Sequence, residues 1–203
     1  MQQEQRSYAE IARDLQDLGI GGITDEMVRS LEEQSAQLPE GAIFSKTANL
    51  LSVVGMGTFG PELSSWTPAH NGVYSFDMEV YDEGKIYTYF LEGVAALGEG
   101  ELEFTNITED LSRMDREAGT GPRSVSFDWN GTRYTMEMTA QQDWFDVAAA
   151  RQLSKIVQEA GGDKQLYFVG DGYQFCMVFY RDAAWAREFQ QKTGLPLSTL
   201  LES

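Results

Sequence analysis

Apolar residues return at two different intervals along this chain, and the change of interval divides it. Tyr8, Ile11, Ala12, Leu15 and Leu18 recur at helical spacing. Gly19, Gly21 and Gly22 stop that helix. Thr24 is placed to cap a second one, with Asp25 and Glu26 in its first turn, where the helix dipole favours acids. Met27, Val28 and Leu31 form its apolar stripe, and Pro39 follows its end. Residues 47–54 read as a third helix, and 50–54 within them equally as a buried strand. Residues 55–72 are rich in glycine and proline and predict mostly loop.

From residue 73 the interval becomes two. Tyr74, Phe76, Met78 and Val80 alternate with Ser75, Asp77, Glu79 and Tyr81, the pattern of a half-buried strand. Asp82 is placed to cap a helix carrying Ile86, Phe90, Val94 and Leu97, although 87–91 has strand-like composition. Leu102 and Phe104 alternate with Glu101, Glu103 and Thr105 and predict another strand. The sharpest local signal is Asn130-Gly131, whose two residues suit the positive φ angles of a tight hairpin turn. That turn sets Trp129 opposite Thr132, Phe127 opposite Tyr134 and Val125 opposite Met136, all on one face. Asp128 then faces Arg133, and Ser126 faces Thr135, on the other. Asp146 caps a helix with Ala149, Leu153, Ile156 and Val157 on one face, ended by Gly161-Gly162. A second hairpin turns at Gly170-Asp171-Gly172. Its strands, 165–169 and 173–180, are apolar on both faces, so they are central and covered on both sides. Asp182 caps a last helix, which Gly194 ends.

The order of elements predicts an α+β fold: a largely antiparallel, or mixed, sheet of about six strands packed with helices and preceded by N-terminal helices. It divides the chain into an N-terminal helical segment (1–55), a glycine- and proline-rich loop (56–72) and an α+β domain (73–203). Several phrases resemble those of a group of small bacterial proteins without an assigned activity: WTP at 66–68, VYSFDMEV at 73–80, VSFDWNG at 125–131, DWFD at 143–146 and GDGYQFCMVFY at 170–180. The likeness runs through most of the chain from Leu50 onward. It implies an intracellular bacterial origin and carries over no activity and no site residue.

Composition narrows the chemistry. The chain holds one histidine, His70, and one cysteine, Cys176, in 203 residues. A zinc site or a nucleophile–base pair draws on several such residues close together. One cysteine forms no internal disulfide, and with a polar start that lacks a secretion signal this predicts a reducing, cytoplasmic setting. No run approaches the about 20 apolar residues of a membrane span. The net charge is −17, from 32 acids against 15 bases. That excess disfavours direct nucleic-acid binding and anionic membranes, and fits a basic protein partner. The acids concentrate at 77–115, which should project a negative field.

Few motifs survive a physical test. Gly55-Met-Gly57-Thr-Phe-Gly60 matches a dinucleotide fingerprint, but Pro61 and Pro68 leave no room for the helix whose N-terminus would hold a pyrophosphate. Residues 9–15 and 24–31 resemble a helix-turn-helix, but Asp25, Glu26, Glu32 and Glu33 would repel phosphates. Asp77 and Glu79, two apart on a strand, share a face; with Asp82 they could seat a divalent cation or serve as an acid–base pair. His70 reads as a turn residue and Cys176 as a buried structural thiol. Trp66 and Trp144 are candidate anchors for a partner, with Phe145 held in the core.

The expected function is therefore a non-catalytic, intracellular acidic protein that binds another protein, in the manner of an immunity protein or a decoy. Its candidate binding residues are Asp77, Glu79, Asp82, Trp66 and Trp144, with no cofactor and no metal. One alternative is a carboxylate-using hydrolase, with or without a divalent metal. Another is a small-ligand binding module whose apolar pocket lies between the glycine-rich loop and the sheet, near Trp66 and His70.

Overall fold

The computed structural model describes residues 6–39, 43, 45–61, 65–79, 84–170 and 174–200. Its helices are α1 (Tyr8–Asp17), α2 (Asp25–Gln37), α3 (Lys46–Gly55), α4 (Ile86–Leu97), α5 (Ala148–Glu159) and α6 (Ala183–Thr193). Its strands are β1 (Thr58–Phe59), β2 (Trp66–Thr67), β3 (Tyr74–Asp77), β4 (Thr105–Asp110), β5 (Thr120–Trp129), β6 (Thr132–Gln141), β7 (Lys164–Gly170) and β8 (Phe175–Asp182). The class is α+β and the strand pairings are antiparallel. Among the described residues the strands do not form one sheet. They form two three-stranded sheets, β3-β8-β7 and β4-β5-β6, and the two-stranded ladder β1-β2.

Burial explains the division. Strand β8 is apolar on both faces and lies at the centre of its sheet. One face of that sheet offers Tyr167, Val169, Met177 and Phe179 to a core built with α1, α2, α3 and α6. The other offers Leu166, Phe168, Cys176 and Val178 to a core built with α4 and α5. Strands β5 and β6 alternate, so their sheet is apolar on one face only. Val125, Phe127, Trp129, Met136 and Met138 close the second core from the far side of those helices.

Local chemistry starts these elements where the side chains require. Ser7 and Glu10 form a reciprocal capping box on α1. Thr24, Ser45 and Asp182 accept backbone N–H groups at the starts of α2, α3 and α6, and a cap of this kind contributes about 1 kcal/mol. Asp146 secures α5 from one position further out than a cap: its Oδ1 accepts from Ala148 N at 2.9 Å and its Oδ2 from Thr139 N at 2.8 Å. The β5–β6 register is the one the Asn130-Gly131 turn requires, from Trp129 opposite Thr132 to Val125 opposite Met136, with φ of 50° and 74° at the turn.

Other expectations shift. Residues 47–54 are helical, within α3. Residues 101–104 are not a strand. The chain leaves α4 through positive φ angles at Glu99 and Gly100, and Leu102 and Phe104 reach the second core from a loop before β4 begins. Two alternating apolar residues are too short a pattern to separate these cases. Strand β3 is shorter than residues 73–80 and is not half-buried. Helix α3 covers its second face, where Ser75 is buried and donates to Ser52 O at 2.5 Å. Val80, the expected cap Asp82 and the turn residues Asp171 and Gly172 lie outside the described residues. Lys85 occupies the N-cap position of α4, without a side-chain cap bond. The loop 55–72 contains the β1-β2 ladder, in which Trp66 pairs with Phe59.

Candidate functional site

Helix α4 begins beside strand β3, and an aromatic cavity of about 390 Å³ opens between them. Tyr74 and Phe76, two apart on β3, supply one wall. Ile86, Tyr89 and Phe90, at i, i+3 and i+4 on α4, supply another. Trp66 comes from β2, and Phe145 from the segment before α5, where its N–H donates to Met78 O at 2.7 Å. Met56, Phe59 and Phe175 complete the apolar lining. The rings hold one another in place. Trp66 lies 5.6 Å from both Tyr74 and Tyr89, and Phe145 lies 5.0 Å from Phe76 and 4.9 Å from Phe90. Pairs at these separations add about 0.5–1.5 kcal/mol each beyond their buried area. The cavity is thus preformed, and its volume falls within the range of small-ligand sites.

The glycines that mimic a dinucleotide fingerprint serve this packing instead. A Cβ on Gly55 would lie 2.8 Å from Ser75 N, so glycine lets α3 abut β3. Gly57 has φ +76°, and a Cβ there would lie 2.5 Å from Thr67 O and 2.8 Å from Trp66 Nε1. The indole is then fixed by its own hydrogen bond to Met56 O at 2.8 Å.

Two carboxylates interrupt the apolar lining. Asp77 and Glu79 both border the cavity and both are exposed. They do not share a regular strand face, because β3 ends at Asp77. Glu79 N–H turns back to donate to Asp77 Oδ1 at 2.9 Å, and Glu79 Oε2 accepts from Gln174 Nε2 at 2.6 Å. Among the described residues no lysine or arginine lies within ion-pairing distance of either. Glu79 also bridges to Trp144, which is 38% exposed just outside the lining. The structure therefore gathers Trp66, Asp77 and Glu79 at one cavity, with Trp144 beside it. Asp82 lies outside the described residues. His70 is exposed and does not line the cavity. Cys176 is fully buried in β8.

On the other flank of the first turn of α4 sits a group that the sequence reading missed. The side chains of Arg123 and Glu109 are 1% and 3% exposed and form an ion pair, with Arg123 Nε donating to Glu109 Oε2 at 2.9 Å. Glu109 Oε1 accepts from both Thr88 N and Thr88 Oγ1, at 2.8 and 2.9 Å, and so satisfies an N–H that the helix itself leaves free. The Arg123 guanidinium lies 5.0 Å from the centre of the Tyr87 ring. Tyr87 accepts from Asp146 N at 3.2 Å, and burial above all pushes its hydroxyl up to about 12. One signal was available: Arg123 has the same parity along β5 as Val125 and Phe127, which places it inward.

Among the described residues no three of histidine, cysteine, aspartate and glutamate converge as a metal site would require, and no helix is long and apolar enough to cross a membrane. No protein-family model matches this chain, and neither a curated protein nor a solved structure is significantly similar to it.

Proposed function

We propose that the protein is a non-catalytic binding module for a small, largely apolar ligand held in the aromatic cavity. The observation that carries this reading is the cavity itself. It is formed by segments far apart in the chain, walled by rings that brace one another, and within the usual size range for such sites. Close-packed interiors leave few voids, and a concave apolar space of this size at the surface is the common mark of a ligand site. The buried single thiol of Cys176 supports a cytoplasmic setting. The test is titration with a neutral fluorescent amine such as N-phenyl-1-naphthylamine, read by probe emission and by quenching of tryptophan. Saturable binding is expected, weakened about ten-fold by Trp66→Ala and several-fold by Phe59→Ala. Phe59 is 50% exposed at the rim, so its removal leaves the core intact. No saturable binding by the folded wild-type protein up to the probe's solubility removes the proposal.

A second reading, a basic protein partner, has one observation in its favour. Trp144 stands exposed against Glu79, an aromatic anchor beside an acid. Under this reading Trp144→Ala abolishes capture of the partner and Phe59→Ala leaves it unchanged.

A further inference from the structure

We infer that the ligand of the aromatic cavity is an amphipathic organic cation: an apolar body carrying one ammonium or similar group that rests between the rings and the carboxylates of Asp77 and Glu79. This inference rests on the proposal that the cavity binds a small ligand, and goes beyond it by naming the ligand's charge and where that charge sits.

Three observations support it. The carboxylates at the lining accept hydrogen bonds from a backbone N–H and from the Gln174 amide, both neutral donors. The two carboxylates are the charged residues that the lining holds, and Arg123, Lys164, Arg133 and Arg113, which pair with Glu109, Glu101, Asp128 and Glu137, stand outside it. Second, the cavity wall is built from aromatic rings, including Trp66, Tyr74 and Tyr89, whose faces attract a cation. Third, the net charge is −17, which over the whole molecule favours the approach of a cation over that of an anion. An apolar body fills the ring-lined volume, while a charge at the mouth stays near water and avoids the cost of burial.

The experiment uses three ligands with one tail, titrated calorimetrically into the full chain at low salt: 4-phenylbutylammonium, 4-phenylbutanol and 5-phenylpentanoate. The ammonium is expected to bind about ten-fold more tightly than the alcohol, and the carboxylate least tightly. In the double variant Asp77→Asn with Glu79→Gln the ammonium loses its preference over the alcohol. Phe59→Ala weakens ammonium and alcohol by the same factor. Equal binding of ammonium and alcohol to the wild type, or a preference that survives the double variant, overturns the charge assignment and leaves the cavity proposal standing. Failure of all three ligands, together with the neutral naphthylamine, overturns the cavity proposal and this inference with it. Both substituted side chains are exposed, and the circular dichroism of the double variant should match that of the wild type.

Discussion

The first turn of α4 separates two ways of handling a carboxylate. On one flank Glu109 is buried, paired with Arg123 and saturated by Thr88. On the other, Asp77 and Glu79 stand exposed at an aromatic cavity and, among the described residues, accept hydrogen bonds from neutral donors alone. A buried charge must be matched at once, since an unmatched one costs several kcal/mol. An exposed one is hydrated and keeps capacity for something from outside. The matched pair is therefore structural and the unmatched pair is the candidate for binding. The two flanks meet at one helix turn: Glu109 holds Thr88, and the neighbouring Tyr89 and Phe90 form the cavity wall.

The largest effect should come from breaking the matched pair. Arg123→Met leaves Glu109 buried without its partner and should cost about 3–5 kcal/mol in equilibrium denaturation. Adding Glu109→Gln to that variant should recover part of the loss, because glutamine still accepts from Thr88. Equal losses in the single and double variants would contradict the idea that the cost lies in a stranded charge.

A smaller effect is expected on the cavity flank. Gly57→Ala forces a side chain into a positive-φ position against Thr67 O and Trp66. It should cost about 1–3 kcal/mol and weaken binding of the neutral naphthylamine, since the displaced indole is a wall. Unchanged binding would show that Trp66 does not shape the site.

Salt should separate the two flanks more finely. Raising it from about 0.05 M to about 0.5 M screens exposed charges far more than buried ones. The preference for 4-phenylbutylammonium over 4-phenylbutanol should shrink several-fold. The stability difference between wild type and Arg123→Met should hardly move.

The smallest effect is a pH dependence at Glu92, which burial raises above the ordinary glutamate value. The folded chain then holds this proton more tightly than the unfolded chain. Its contribution to stability falls as pH rises from the unfolded value through the raised folded one, and is constant above. Glu92→Gln should be slightly more stable than wild type at pH 7, with no difference below about pH 4. A difference that persists in acid would mean that the side chain acts through packing.

Much of the fold was legible because its signals are local. The Asn130-Gly131 turn and the alternation around it specified a register of ten paired residues on each strand. Thr24 and Asp182 marked two helix starts, and the two-sided apolar run of β8 marked a central strand. The errors arose where one pattern suits two structures. Leu102 and Phe104 alternate like a strand but reach the core from a loop, and Ser75 reads as an outward polar residue until α3 is laid over it. At the site, Trp66, Asp77 and Glu79 were singled out separately, for anchoring and for carboxylate chemistry. Nothing in their order says that one cavity gathers them. Glu109 falls within the acidic stretch 77–115, and in a sequence a buried charge looks like an exposed one until its partner is known.

The sequence by itself determined most of the elements, the hairpin register and the sign of the net charge. Turn preferences, capping and side-chain alternation act over a few residues, and charge is a sum that needs no coordinates. Only the tertiary structure decided that the strands part into separate sheets, that Arg123 meets Glu109 fourteen positions away, and that rings from β2, β3, α4 and the approach to α5 leave a space between them. Those outcomes depend on which buried faces find each other across the chain, and no local preference encodes that.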